Sequence, residues 1–211
     1  MRIILFFLIF LLNLNAYEVN ILSVNNNIAS INKYVKKGIT GLVICPYETQ
    51  KIICARAISF GKKVELKVYD NLKNNAFAIP TLYPKKGDKI IFAKDYNRVL
   101  IIAPNQVEYL KVKENYKNNA IISPDILASF VDEIPTKEEF INFAKEMDIG
   151  RYVFVLDKIY EVDANSFYVI KKHSKNNAVY KDIFFTNYNK ESIKEDLVSY
   201  YKMLLKEWYD R

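Results

Sequence analysis

The chain has 211 residues, 51% hydrophobic and 26% charged, with a formal net charge of +7. That balance excludes a disordered chain and leaves length for one large domain or two small ones, each with a real core. The positive charge is carried mostly by scattered lysines, which favours acidic protein or lipid surfaces as partners and argues against nucleic acid.

Met1-Arg2 gives a short positive start, Ile3 to Leu12 is a solid apolar block, and Asn13 to Ala16 follows with a small residue at its end. This is the layout of a secretory signal, residues 1–16, with cleavage expected between Ala16 and Tyr17. A membrane-spanning helix needs about 20 apolar residues, so the block is too short, and no later stretch is long or apolar enough to span. Arg2 is the sole charge in this segment, so its removal takes the net charge from +7 to +6.

Residues 17–103 read as a β-rich domain. Val19, Ile21, Val24 and Ile28 recur around an Asn25-Asn26-Asn27 turn, which predicts a hairpin. Lys36-Lys37-Gly38 makes the next turn, and Gly41 to Cys45 the next strand. Pro46 to Gln50 closes a hairpin onto Ile52 to Ile58. A further turn is expected at Phe60-Gly61-Lys62-Lys63, before Val64 to Tyr69. Pro80, Pro84 and Lys86-Gly87-Asp88 mark a loop ahead of Lys89 to Ala93. Short strands separated by regular turns predict a small barrel or sandwich. The apolar run Val99 to Ala103, closed by Pro104, reads as a strand buried on both faces, either the last of this unit or the first of the next.

The period then changes. Residues 104–186 read as an α/β domain, and 187–211 as a closing helix. Asn105 is placed to cap a helix through Tyr116, and Ala120 to Ile122 is a short strand. Ser123-Pro124 opens a helix with proline at its first position. Thr136-Lys137-Glu138-Glu139 is a capping box for a helix with Phe140, Phe143, Ala144 and Met147 on one face. Tyr152 to Leu156, Ile159 to Val162 and Phe167 to Ile170 form a three-stranded meander. The fold class is therefore α+β: a small N-terminal β-barrel or sandwich, a compact α/β layer, and a C-terminal amphipathic helix. On that helix Ile193, Leu197, Tyr201, Leu204 and Trp208 form one apolar stripe. The stripe either docks on its own domain or offers Leu197, Tyr201, Leu204 and Trp208 to a partner.

No residue set spells out a reaction, so the expectation is a protein that is not an enzyme, with no catalytic residues, no metal site and no cofactor. The single histidine, His173, stands among lysines and reads as a surface residue. Without a second histidine, the usual zinc sets and histidine-dependent triads drop out. Asp163-Ala164-Asn165-Ser166 begins like a calcium loop, but Tyr168 stands where glycine is needed and Ser174 where glutamate is needed. An Asx turn accounts for it better. Cys45 and Cys54 are the only cysteines. Their arms of one hairpin bring them face to face if Thr49-Gln50 is the turn. In an exported chain a cross-strand disulfide is then as consistent as a pair of small buried thiols.

Several stretches resemble the N-terminal domain family of the plasminogen-binding protein PgbA, a group of exported epsilonproteobacterial proteins. They are Gly38-x-x-Gly41-Leu-Val, Ile53-Cys54-Ala55-Arg56-Ala57 and Tyr96-Asn-Arg-x-Leu-Ile-Ile-Ala-Pro-Asn105. Ser123-Pro-Asp125, Pro135-Thr-Lys-Glu-Glu-Phe140 and Val162-Asp-Ala-Asn-Ser-Phe167 continue the series in order. The signal segment implies a periplasmic location, and the resemblance implies a binding role. Bacteria of this class build large periplasmic scaffolds around their flagellar motors. The first expectation is accordingly a protein that binds other envelope proteins, as an accessory or scaffold component of the flagellar motor. The alternative follows the family name: capture of host plasminogen, whose kringle modules bind lysine side chains, with Lys36, Lys37, Lys171 and Lys172 as candidates.

Overall fold

A computed structural model describes residues 16–69, 82–132, 134–174 and 197–206. The first fifteen residues, and with them all but Ala16 of the expected signal segment, lie outside the described part. The described strands fall into two five-stranded sheets, accompanied by four short helices.

The first sheet is built from β1 (Tyr17–Asn25), β2 (Ile28–Val35), β3 (Thr40–Tyr47), β4 (Gln50–Val68) and β5 (Lys89–Phe92). Its order is β1-β2-β4-β3-β5, and β5 pairs back onto β1 from Tyr17↔Phe92 to Asn20↔Lys89, closing the sheet into a barrel. Closure removes exposed edges. The inward residues of alternating strands, among them Val19, Ala29, Val43, Ala57, Val64 and Ile90, form one apolar cluster. Asn26 takes the left-handed backbone, φ 51°, that the β1–β2 turn requires.

The turn expected at Phe60 to Lys63 is absent. β4 runs through it unbroken, pairing with β3 up to Ile58 and with β2 from Gly61. Gly61 sits at φ +83°, a backbone open to glycine, so the strand bends there and serves two neighbours instead of reversing.

The second sheet has the order β10-β9-β8-β6-β7 and contains β6 (Arg98–Ile102), β7 (Ala120–Ile122), β8 (Arg151–Val155), β9 (Ile159–Asp163) and β10 (Val169–His173). β6 runs parallel to both β7 and β8, so the apolar Val99-to-Ala103 run belongs to this sheet and not to the barrel. Helix α1 (Gln106–Glu114) covers one face over Val99, Ile101, Val153 and Val155. On the other face α2 (Pro124–Phe130), α3 (Lys137–Glu146) and α4 (Leu197–Lys206) enclose Leu100, Ile102, Tyr152 and Phe154. Asn105, Ser123 and Thr136 cap the first three helices, Thr136 with the full capping box to Glu139. The meander's last strand starts two residues later than expected, because Phe167 takes φ 61° and remains in the turn.

Helix α4 places the described part of the stripe, Ile193 lying outside the described residues. Leu197 and Tyr201 are buried in their own domain's core, with the Tyr201 ring 5.4 Å from Phe154 and 6.1 Å from Phe140. Leu204 is half-buried against the same cluster, and Trp208 lies outside the described residues. Leu197 and Tyr201 therefore do not stand as partner-binding anchors: apolar burial against α3 and β8 takes their faces. No helix among the described residues is long and apolar enough to cross a membrane.

Candidate functional site

Barrel and second sheet meet at one buried carboxylate. Asp163, at the end of β9, is fully buried. Its Oδ2 accepts from the Thr40 backbone N–H at 2.8 Å, the Thr40 hydroxyl at 2.8 Å and the Tyr96 hydroxyl at 2.6 Å. Its Oδ1 accepts from the backbone N–H groups of Asn165 and Ser166, at 3.1 and 2.9 Å, which is the expected Asx turn. Ser166 donates its hydroxyl to the Gly38 carbonyl. Charge-assisted bonds of this kind are about twice as strong as neutral ones. Burial, followed by the charge of Asp163 and the bond to it, pushes the Tyr96 hydroxyl well above its ordinary value, so it stays a donor.

The approach of the chains at this point excludes side chains. A Cβ on Gly150 would overlap the Asp95 carbonyl, and one on Gly38 would overlap the Tyr168 side chain. Four of the six segments that carry the family resemblance converge here: Gly38 to Val43, Arg56, Tyr96 and Asp163 to Ser166. A small open cleft lies beside them, lined in part by Thr40, Arg56, Lys94, Asp95 and Asn165. Burial raises the Asp95 carboxyl, against the opposing charges of Lys94 and Arg56.

A second polar group starts at Arg151, which pairs across from Asp163, and reaches Glu161 two residues along β9. Arg151 donates to Glu161 Oε2 at 2.9 Å and to the Tyr96 carbonyl at 3.0 Å, between the rings of Tyr96 and Tyr116, each 5.6 Å away. His173 Nε2 lies 2.7 Å from Glu161 Oε1. His173 is therefore not simply a surface histidine: β10 returns antiparallel to β9 and sets it diagonally across from Glu161, a pairing invisible in the local sequence. Burial alone raises the Glu161 carboxyl, but the His173 bond and the charges of Arg151 and Lys171 outweigh it and hold the group below the usual glutamate range. Tyr116, beside Glu161, is raised by burial first and by that carboxylate second.

Cys45 and Cys54 are joined by a disulfide with Cα atoms 5.8 Å apart. The geometry differs from a Thr49-Gln50 turn. The hairpin turns at Glu48-Thr49, and Cys45 pairs opposite Ile52. A β-bulge at Cys54, between the Val43↔Ala55 and Ile44↔Ile53 pairs, swings its side chain towards Cys45.

The candidate lysines come together from opposite ends of the chain. Lys36 donates to the Ile170 carbonyl, immediately before Lys171. Lys37 lies 5.9 Å above the Phe60 ring and 5.6 Å above that of Tyr168. Lys171 and Lys172 are exposed on β10, an outer strand of the second sheet, with Lys172 5.3 Å above Tyr160. Among the described residues no group of three or more His, Cys, Asp and Glu is placed to hold a metal ion.

The chain is an α+β domain in which a closed five-stranded barrel is fastened to a mixed five-stranded sheet by a buried Asp163 cluster. The plasminogen-binding protein pgbA N-terminal family matches residues 16–205, and the chain belongs to that family. It is similar to the plasminogen-binding protein PgbA of Helicobacter pylori, at 23% identity over 145 residues. That match covers 66% of this chain and 31% of the relative, so the chain spans less than a third of that protein's length. No solved structure matches the chain.

Proposed function

We propose that this chain is an exported, non-enzymatic binding domain that engages plasminogen through exposed lysine side chains. The observation that carries the reading is the family match over residues 16–205. The name of the Helicobacter pylori relative points the same way. The comparisons lend nothing to the flagellar-motor expectation and favour the plasminogen alternative. The Cys45–Cys54 disulfide supports an oxidising, extracytoplasmic compartment.

Geometry ranks the lysines. Lys36 and Lys37 are tied down, one on a backbone carbonyl and the other over two rings. Lys171 stands exposed on an outer strand, where a lysine-binding module has access, and Lys172 beside it is exposed but lies 5.3 Å above the Tyr160 ring. Lysines on such a strand also have a purely structural use, since they discourage edge-to-edge pairing with another chain. The two roles separate in a binding assay on immobilised plasminogen. The reading expects Lys171→Ala/Lys172→Ala to lose most of the binding and Lys36→Ala/Lys37→Ala to lose less. Full binding by the first variant, with an unchanged melting temperature, would overturn the assignment of the β10 lysines.

A further inference from the structure

Three segments distant in sequence form one surface beside the barrel–sheet junction: the end of β2 with its following turn (32–39), the bend of β4 (59–64), and β10 with the turn before it (167–174). Ser30 pairs with Lys63 and Val35 with Gly61. A Cβ on Gly61 would stand 3.3 Å from the Tyr34 ring, so that ring lies over the bend. Phe60 meets Tyr168 edge-on at 6.2 Å, with Lys37 above both, and Lys36 reaches the Ile170 carbonyl. These contacts make the surface continuous.

Its composition is one-sided. The three segments hold seven lysines and no aspartate or glutamate. Lys33, Lys36, Lys62 and Lys63 are exposed, and so are two aromatic rings, Tyr34 at 71% and Phe60 at 40%. The arginines among the described residues are held elsewhere: Arg98 on the Met147 carbonyl, Arg151 on Glu161, and Arg56 buried beside the cleft. Arginine forks read planar carboxylates and phosphates one at a time, whereas lysine acts as a mobile point charge. A surface of lysines alone therefore suits diffuse negative charge better than a shaped ligand. None of its residues lines the junction cleft, and its exposed rings suit the headgroup layer of a bilayer.

We propose that this face docks on an anionic lipid surface, with the lysines over the phosphates and Tyr34 and Phe60 at headgroup depth. The test is flotation of the full chain with vesicles of phosphatidylcholine alone or mixed with phosphatidylglycerol. Binding to the anionic vesicles only is expected, lost in about 1 M salt, where the screening length falls to roughly 3 Å. Lys62→Glu/Lys63→Glu should weaken it at least about tenfold, and Phe60→Ala by a smaller factor. Both variants keep Lys171 and Lys172, so plasminogen capture is left apart. The melting temperature of the charge-reversed variant should match the parent, because both side chains are exposed. Absence of binding, equal binding to neutral vesicles, indifference to the charge reversal, or tighter binding to polyglutamate or a single-stranded oligonucleotide would each overturn the proposal.

Discussion

Asp163 carries more of the fold than its neighbours suggest. It accepts from Thr40 of the barrel, Tyr96 of the connection and its own turn, so one side chain ties three parts of the chain together. Replacing it with alanine leaves buried donors unsatisfied, and a loss of about 3 kcal/mol or more is expected in denaturant unfolding. The Asx turn was legible in Asp163-Ala164-Asn165-Ser166, but its second role was not, because Thr40 lies 123 residues away in the chain. Glu161 was missed for the same reason. Its pKa is depressed in the folded protein, so its charged form contributes stability above the unfolded glutamate range, and that stability is lost as pH falls through the folded value. Unfolding free energy measured against pH should therefore fall on the acid side. Glu161→Gln should flatten part of that fall while costing about 3–5 kcal/mol near neutrality, since Arg151 is left buried without its carboxylate.

At the scale of elements, local chemistry was the reliable guide. Asn105, Ser123-Pro124 and the Thr136 capping box open helices where they stand, because caps act over three or four residues. The bend of β4 reads as a turn in sequence, because Gly61 with two lysines offers the same local signal for a hairpin and for a bulged strand. Only the barrel's need for a strand shared by β2 and β3 decides between them. The bulge at Cys54 was hidden in a similar way, since nothing in Ile53-Cys54-Ala55 marks an extra residue. Cys45→Ser/Cys54→Ser should cost about 2–3 kcal/mol, the loop entropy of a short closed ring, in an unfolding titration. Helix α4 makes a sharper case. Tyr201→Ala removes a ring buried against Phe140 and Phe154 and should cost about 3–5 kcal/mol. A melting temperature within a degree or two of the parent would show that the helix does not pack there.

For the molecule as a whole, the α+β order of the elements could be read from hydrophobic period alone, whereas the junction that defines the domain could not. The lysines follow the same pattern: Lys36-Lys37 and Lys171-Lys172 are two ordinary charge pairs in sequence and are brought near each other by the contacts of Lys36 with Ile170 and of Lys37 with Tyr168. The chain belongs to the plasminogen-binding protein pgbA N-terminal family and spans 31% of the length of its Helicobacter pylori relative. Engagement of plasminogen by lysine side chains of this domain is the function proposed above. Its most direct test is surface plasmon resonance of the domain on immobilised plasminogen, titrated with a free lysine analogue. Saturable binding that the analogue competes away completely is expected. Binding that persists at saturating analogue, or no binding by the folded domain, would contradict it.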